Sequence, residues 1–194
     1  MATNRDRLAL IEEISTIAGE EHADLREALD QIVAAIADGM QAEVCSLYLF
    51  DAQRERLVLR ATMGLDRDSV GRVSMRPTEG LVGLVIEKDE AVAVADAISH
   101  PRYKYFPETG EERYHTFLGV PVQEGRQKPL GVLVAQTLAR RKFSRTEVTL
   151  LRTAASQIAQ VLSHFRLRET LATKEKEREE YRRRMIEEIG RAHV

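Results

Sequence analysis

Residues Tyr114 to Gln136 limit the fold more than any other stretch of the chain. Two apolar runs, Thr116-Phe117-Leu118-Gly119-Val120-Pro121-Val122 and Leu130-Gly131-Val132-Leu133-Val134-Ala135, flank a polar break of Gly125, Arg126, Gln127 and Lys128. Runs of strand length joined by so short a break form a β-hairpin. Both arms are nearly continuously apolar rather than alternating, so each must be covered on both faces, and the hairpin belongs inside a sheet. Helices can cover one face. The aromatic, basic, Pro- and Gly-punctuated segment His100 to Arg113 is placed to cover the other as a lid.

The rest of the chain supplies what such a hairpin needs. Leu8, Ile11, Ile14 and Ile17 give a first helix an apolar stripe. Asp24 with Glu27 forms a capping box for a second helix, Leu25, Ala28, Leu29, Ile32, Val33 and Ile36 give it a wide apolar face, and Gly39 is placed to stop it. Val44 to Phe50 and Arg56 to Met63 read as antiparallel strands, the second setting Leu57, Leu59 and Ala61 against Val58, Arg60 and Thr62. A short strand follows around Arg72 to Met75. Gly80 to Ile86 reads as a short helix whose two glycines let it approach the sheet, and Ala91 to Ala95 as a further strand. Thr109 with Glu112 suggests a capping box within the lid, and Ser144 with Glu147 another at the start of the last helix. On that helix Leu151, Ala154, Ile158, Val161 and Phe165 share a stripe; beyond Arg166 only Leu171, Tyr181, Met185 and Ile189 keep an apolar rhythm. The pattern predicts an α+β domain with an antiparallel sheet. Its expected divisions are an N-terminal helix at 1–22, the sheet domain at 23–163 and a C-terminal helical linker at 164–194.

A formal charge of −2, from 29 Lys and Arg against 31 Asp and Glu, points away from a nucleic-acid partner. The single cysteine, Cys45, excludes an internal disulfide and any multi-cysteine metal site. No apolar stretch approaches bilayer-spanning length, so the expectation is a soluble, cytoplasmic chain with no membrane partner. His22, His100, His115, His164 and His193 show no ligand spacing, and no nucleophile elbow, phosphate loop or dinucleotide fingerprint is present. Neither a catalytic set nor a metal or other cofactor is expected, and the chain reads as a non-enzyme.

The lid does carry chemistry. Tyr103, Phe106, Arg113, His115 and Phe117 combine aromatic walls with polar donors, as a small-molecule pocket requires, and Arg113 is the expected partner for a ligand carboxylate. The same residues fit a plain cap over the sheet equally well. Inward-pointing Arg102, Arg113 and His115 side chains would favour the pocket, and solvated ones the cap.

Several segments resemble the GAF family of sensory domains: Glu79-Gly80-Leu81-Val82-Gly83, Val94-Ala95-Asp96, His100-Pro101-Arg102, Leu118-Gly119-Val120-Pro121-Val122 and Leu130-Gly131-Val132-Leu133. Within that family, Pro107-Glu108-Thr109-Gly110-Glu111-Glu112-Arg113-Tyr114 followed by Phe117-Leu118-Gly119-Val120-Pro121 is most similar to the amino-terminal GAF domains of nitrogen-branch phosphoenolpyruvate-protein phosphotransferases, the Enzyme I Ntr group. The resemblance spans about Leu25 to Leu162. It implies a six-stranded antiparallel sheet with helices on one face and a lidded pocket on the other. It also implies a regulatory role in nitrogen signalling through glutamine or 2-oxoglutarate, with phosphotransfer to an HPr-like carrier left to domains this chain lacks. The alternative is a dimerisation or interaction module that binds no ligand. A homodimer through the terminal helices is expected in either case, with Ile158, Leu162 and Phe165 near its axis.

Overall fold

The computed structural model of the protein describes residues 4–19, 24–125 and 127–191. His22, Arg126 of the hairpin turn, His193 and the expected boundary between residues 22 and 23 lie outside the described residues. The chain divides into two compact units, Met1–Ala159 and Gln160–Val194.

In the first unit, helices α1 (Asn4–Gly19) and α2 (Leu25–Met40) precede strands β1 (Val44–Asp51), β2 (Arg56–Met63) and β3 (Ser74–Met75). Helix α3 (Gly80–Lys88), β4 (Val92–Val94), β5 (Phe117–Val122), β6 (Gly131–Gln136) and α4 (Arg145–Arg191) follow, α4 continuing into the second unit. The six strands form one antiparallel sheet in the order β3-β2-β1-β6-β5-β4. The predicted hairpin is β5–β6, from Leu118 opposite Ala135 to Val122 opposite Gly131, and it lies inside the sheet as its continuous hydrophobicity requires.

Register settles which residues face which layer. Ala61, Leu47, Leu133 and Val120 stand opposite one another in one row, and Leu59, Tyr48 and Val132 in the next, so the two rows face opposite sides. On the first side α2 packs on β1 and β2, and α1 packs on α2. On the second side α3 crosses β5 and β6, and its Val85 joins Tyr48, Leu57, Leu59, Phe117, Val132 and Val134 in one core cluster. Leu150, Leu151, Ala154, Ala155, Ile158 and Ala159 of α4 are buried as well.

Several local expectations are corrected. The face that α1 buries is Leu10, Ile14 and Ile17; Leu8 is exposed and Ile11 only partly covered. A strict spacing of three falls about 60° short of a full turn at each step, so Leu8 and Ile17 sit on opposite sides of the helix, while spacings of four and three stay on one side. Helix α2 ends not at Gly39 but at Gln41, which adopts the left-handed conformation at φ 50° and returns its N–H to Ala37 and Asp38. Gly39 instead meets the Leu10 side chain of α1. In β2 the pairing slips at Arg60, where Leu47 and Tyr48 face Ala61 and Leu59 across one extra residue. This bulge moves Ala61 to the face of Val58 and puts Thr62 on the other, where its hydroxyl meets that of Ser46 at 2.8 Å. Gly83 gives α3 a close approach to Pro77 and Thr78 rather than to the sheet; the close approach to the sheet is at Gly119. Ile158, expected near a dimer axis, has no exposed surface within the single chain.

The capping box at Ser144 and Glu147 forms as expected: Glu147 accepts from the Ser144 N–H at 2.7 Å, and Ser144 Oγ from the Glu147 N–H at 3.2 Å. In the second unit α4 exposes Leu167, Leu171, Tyr181, Met185 and Ile186 among charged neighbours. No helix among the described residues is long and apolar enough to cross a membrane.

Candidate functional site

The segment between β4 and β5 closes on itself. The Ala97 N–H donates to the His115 carbonyl at 2.6 Å, so both ends of the lid meet at its base, and the chain between them covers the sheet as a compact loop. Successive turns shape it: the His100 N–H bonds to Ala97, and the Tyr103 N–H to His100. Two 3₁₀ turns then follow, Pro107–Thr109 and Glu111–Arg113, joined by Gly110 at φ 64°. Helical turns inside the lid are as expected, but the Thr109–Glu112 capping box does not form. Thr109 is buried, and its hydroxyl donates back to the Phe106 carbonyl at 2.7 Å.

Charged side chains fasten this loop to α3. The Arg102 guanidinium reaches Glu87 at 2.8 and 3.2 Å and the Thr78 carbonyl at 2.6 Å, and the Lys104 ammonium pairs with Glu79 at 3.1 Å. The guanidinium beside it holds the Glu87 carboxyl below its ordinary range. All these groups border solvent, so the latch is polar, accessible and cheap to break.

Beneath the lid is a narrow cleft against the sheet. Tyr103 and Phe106 come from the lid, Phe117 from β5, Tyr48 from β1, and Leu81 and Val82 from α3. Lys104, Glu111 and Gln136 supply its polar lining. The three aromatic residues predicted from the lid and the hairpin are thus brought together. Arg113 and His115 are not in the cleft wall. Arg113 is exposed and lies 5.3 Å over the Tyr114 ring, and His115 is tied by its backbone to Ala97 and Thr137. Arg102 points to α3 rather than inward. The free space inside is about 30 Å³, on the scale of a single water and roughly a tenth of what a metabolite needs. A larger concavity of about 420 Å³ beside the start of α2 is an open surface lined mainly by Asp24, Arg26, Glu27, Asp30, Gln31 and Arg67. Its mixed charges lack the apolar walls of a ligand site.

Several residues of the cleft are not among those expected from the sequence, Tyr48, Glu111 and Gln136 with them. Burial lifts the Glu111 carboxyl to about 7, with the Glu112 charge adding to the effect and with the Phe106 N–H and the Gln136 amide opposing it. Burial also raises Tyr48 far above its ordinary value and pushes Tyr103 up to about 12, the Glu111 charge contributing to both. Gln136 could have been found, since it continues the Val132, Val134 alternation onto the lid face at the end of β6. No spacing singles out Glu111 in a lid that also carries Glu108 and Glu112. Cys45, by contrast, is fully buried, and burial pushes its thiol up, which suits a small core residue rather than a nucleophile.

Residues 22–163 match the family described as GAF domain. The chain is 43% identical over 143 residues to the phosphoenolpyruvate-dependent phosphotransferase system protein of Escherichia coli strain K12, a match that covers 74% of this chain and 19% of that one. The GAF domain of a phosphoenolpyruvate-protein phosphotransferase from Coxiella burnetii superposes with a TM-score of 0.78 at 36% identity, covering 87% of this chain and 99% of that one. The corresponding Acinetobacter GAF domain gives 0.72 at 38% identity, covering 84% and 95%.

Proposed function

The chain belongs to the GAF domain family, and we propose that it serves as a regulatory sensor whose ligand, a small metabolite of the glutamine or 2-oxoglutarate class, enters beneath the lid between β4 and β5. The sequence spans about a fifth of the Escherichia coli relative it matches. In a longer phosphotransferase of that kind, the sensor would control phosphoenolpyruvate-dependent phosphotransfer to an HPr-like carrier carried out by other domains. The observation that carries the reading is the construction of the lid. It closes over an aromatic cleft with polar groups inside, and besides the packing of Tyr103 and Phe106 on the core and the Asp66 N–H donated to the Thr109 carbonyl at 3.2 Å, it is fastened at the surface by the Arg102–Glu87 and Lys104–Glu79 pairs. Such a lid can open without unfolding the sheet beneath it.

Two observations favour a second reading: Arg102 and Arg113 turn outward rather than into the cleft, and the cleft holds only about 30 Å³ of free space. A domain that never opens would act through association instead, as a dimerisation or interaction module. The exposed Leu167, Leu171, Tyr181, Met185 and Ile186 of α4 give such association a surface. A thermal-shift screen against glutamine, glutamate, 2-oxoglutarate and cyclic nucleotides separates the two, because a ligand at a hundredfold its dissociation constant stabilises by about 2.7 kcal/mol. A saturable shift supports the sensor. No shift with any compound, together with a dimer in sedimentation that Leu171→Glu, Tyr181→Glu dissociates, supports the module.

A further inference from the structure

Glu111 is hard to explain as part of a lid that does nothing but cover the sheet. Its carboxyl lines the cleft with Tyr48, Tyr103, Phe106 and Phe117 around it, and among the described residues no Lys or Arg makes an ion pair with it. One oxygen accepts the Phe106 N–H at 3.4 Å, and the Gln136 amide faces the same carboxyl. Those two donors leave much of the acceptor capacity of a carboxylate unused. The titratable groups that bear on it from the surrounding elements are the neighbouring Glu112, Tyr103 and Tyr105 of the lid, and Tyr48 from β1. None of these is a cation. The nearest positive charge in the lining, Lys104, is engaged by Glu79 and sits over the Phe106 ring at 5.2 Å.

We propose that the cleft selects its ligand through an ammonium group, which is delivered onto the Glu111 carboxyl while the aromatic walls take the ligand's carbon chain. The inference rests on the sensor reading above and deepens it. A half-buried carboxyl without a counter-charge is made favourable by a cationic donor, whereas an anionic group set against it meets repulsion, and the other donors of the cleft wall beside it, the Gln136 amide and the Tyr48 and Tyr103 hydroxyls, are uncharged. Lys104 at the rim can release Glu79 and turn to a ligand carboxylate, so a zwitterion can be held at both ends but a dicarboxylate only at one. Because the empty site holds its proton more tightly than a solvated carboxyl does, an arriving ammonium displaces that proton. Binding therefore tightens as the pH rises towards and past about 7.

The test is titration calorimetry on the full chain with three probes: L-glutamine, its analogue 4-carbamoylbutanoate that lacks only the ammonium, and 2-oxoglutarate. Each is run in two buffers of different ionisation enthalpy. The expected result is binding of L-glutamine with proton release near neutral pH, loss of affinity by about tenfold or more in Glu111→Gln, and partial recovery in Glu111→Asp. The Gln variant can still accept the Phe106 N–H, so it separates the loss of charge from the loss of the lid. Binding of 4-carbamoylbutanoate or 2-oxoglutarate as tightly as L-glutamine, or binding indifferent to Glu111→Gln, overturns the inference and leaves the sensor reading standing. If neither these probes nor any amino acid or short alkylammonium salt binds at millimolar concentration, both fall together.

Discussion

Replacing Glu111 by Gln should stabilise the protein at alkaline pH and leave it nearly unchanged in acid. Burial lifts this carboxyl from an ordinary 4.5 to about 7. The folded protein thus holds the proton more tightly than the unfolded chain, and as the pH rises the unfolded chain releases it first. The stability that Glu111 contributes is complete below about pH 4.5, declines through the interval above it and is gone beyond about pH 7. At about 1.4 kcal/mol per pH unit, the gap between 4.5 and 7 corresponds to roughly 3 kcal/mol. Gln does not ionise and can still accept the Phe106 N–H, so the variant escapes the decline. Urea denaturation of both proteins across this range should show the variant's advantage growing from near zero to about 3 kcal/mol, with the dependence on urea unchanged. A stability difference that stays constant with pH would mean that Glu111 titrates as a solvated carboxyl, and would refute the buried, unpaired site.

Gly119→Ala should lower stability by about 1–3 kcal/mol in urea denaturation, because a Cβ there would stand 2.7 Å from the Phe117 ring and from a Val85 methyl, and α3 would have to move. Ser144→Ala removes the acceptor for the Glu147 N–H at the start of α4 and should cost about 1 kcal/mol in the same assay. Arg102→Ala removes the fork onto Glu87 and Thr78, so hydrogen exchange should quicken across residues 98–114 while β5 and β6 stay protected. Equal quickening in the strands would show the latch to be part of the global fold.

How much of this was legible in the sequence depended on how far each signal reached along the chain. The β5–β6 hairpin, the caps at Asp24 and Ser144 and the aromatic wall of Tyr103, Phe106 and Phe117 rest on residues close in sequence, where spacing and residue type carry the physics. So does the lid itself, punctuated by Pro101, Pro107 and Gly110. The errors arose where a second element decides. The buried face of α1 is the exception, since the four-and-three spacing of Leu10, Ile14 and Ile17 stands in the sequence, but the slip at Arg60 depends on the strand paired with β2 and leaves no mark in the order of residues. Gln41 rather than Gly39 takes the left-handed turn, and Gly39 lies inside the helix against Leu10. At the site, Arg113 drew notice as the lid's donor, but donors are common at surfaces and this one lies on Tyr114 in solvent. Glu111 and Gln136 are twenty-five residues apart and meet only because β6 runs beneath the lid. Taken singly, each is an ordinary polar residue. What gives Glu111 its character is the removal of water by the nearby Tyr103, Phe106 and Phe117 together with Tyr48, which the tertiary fold alone brings from β1.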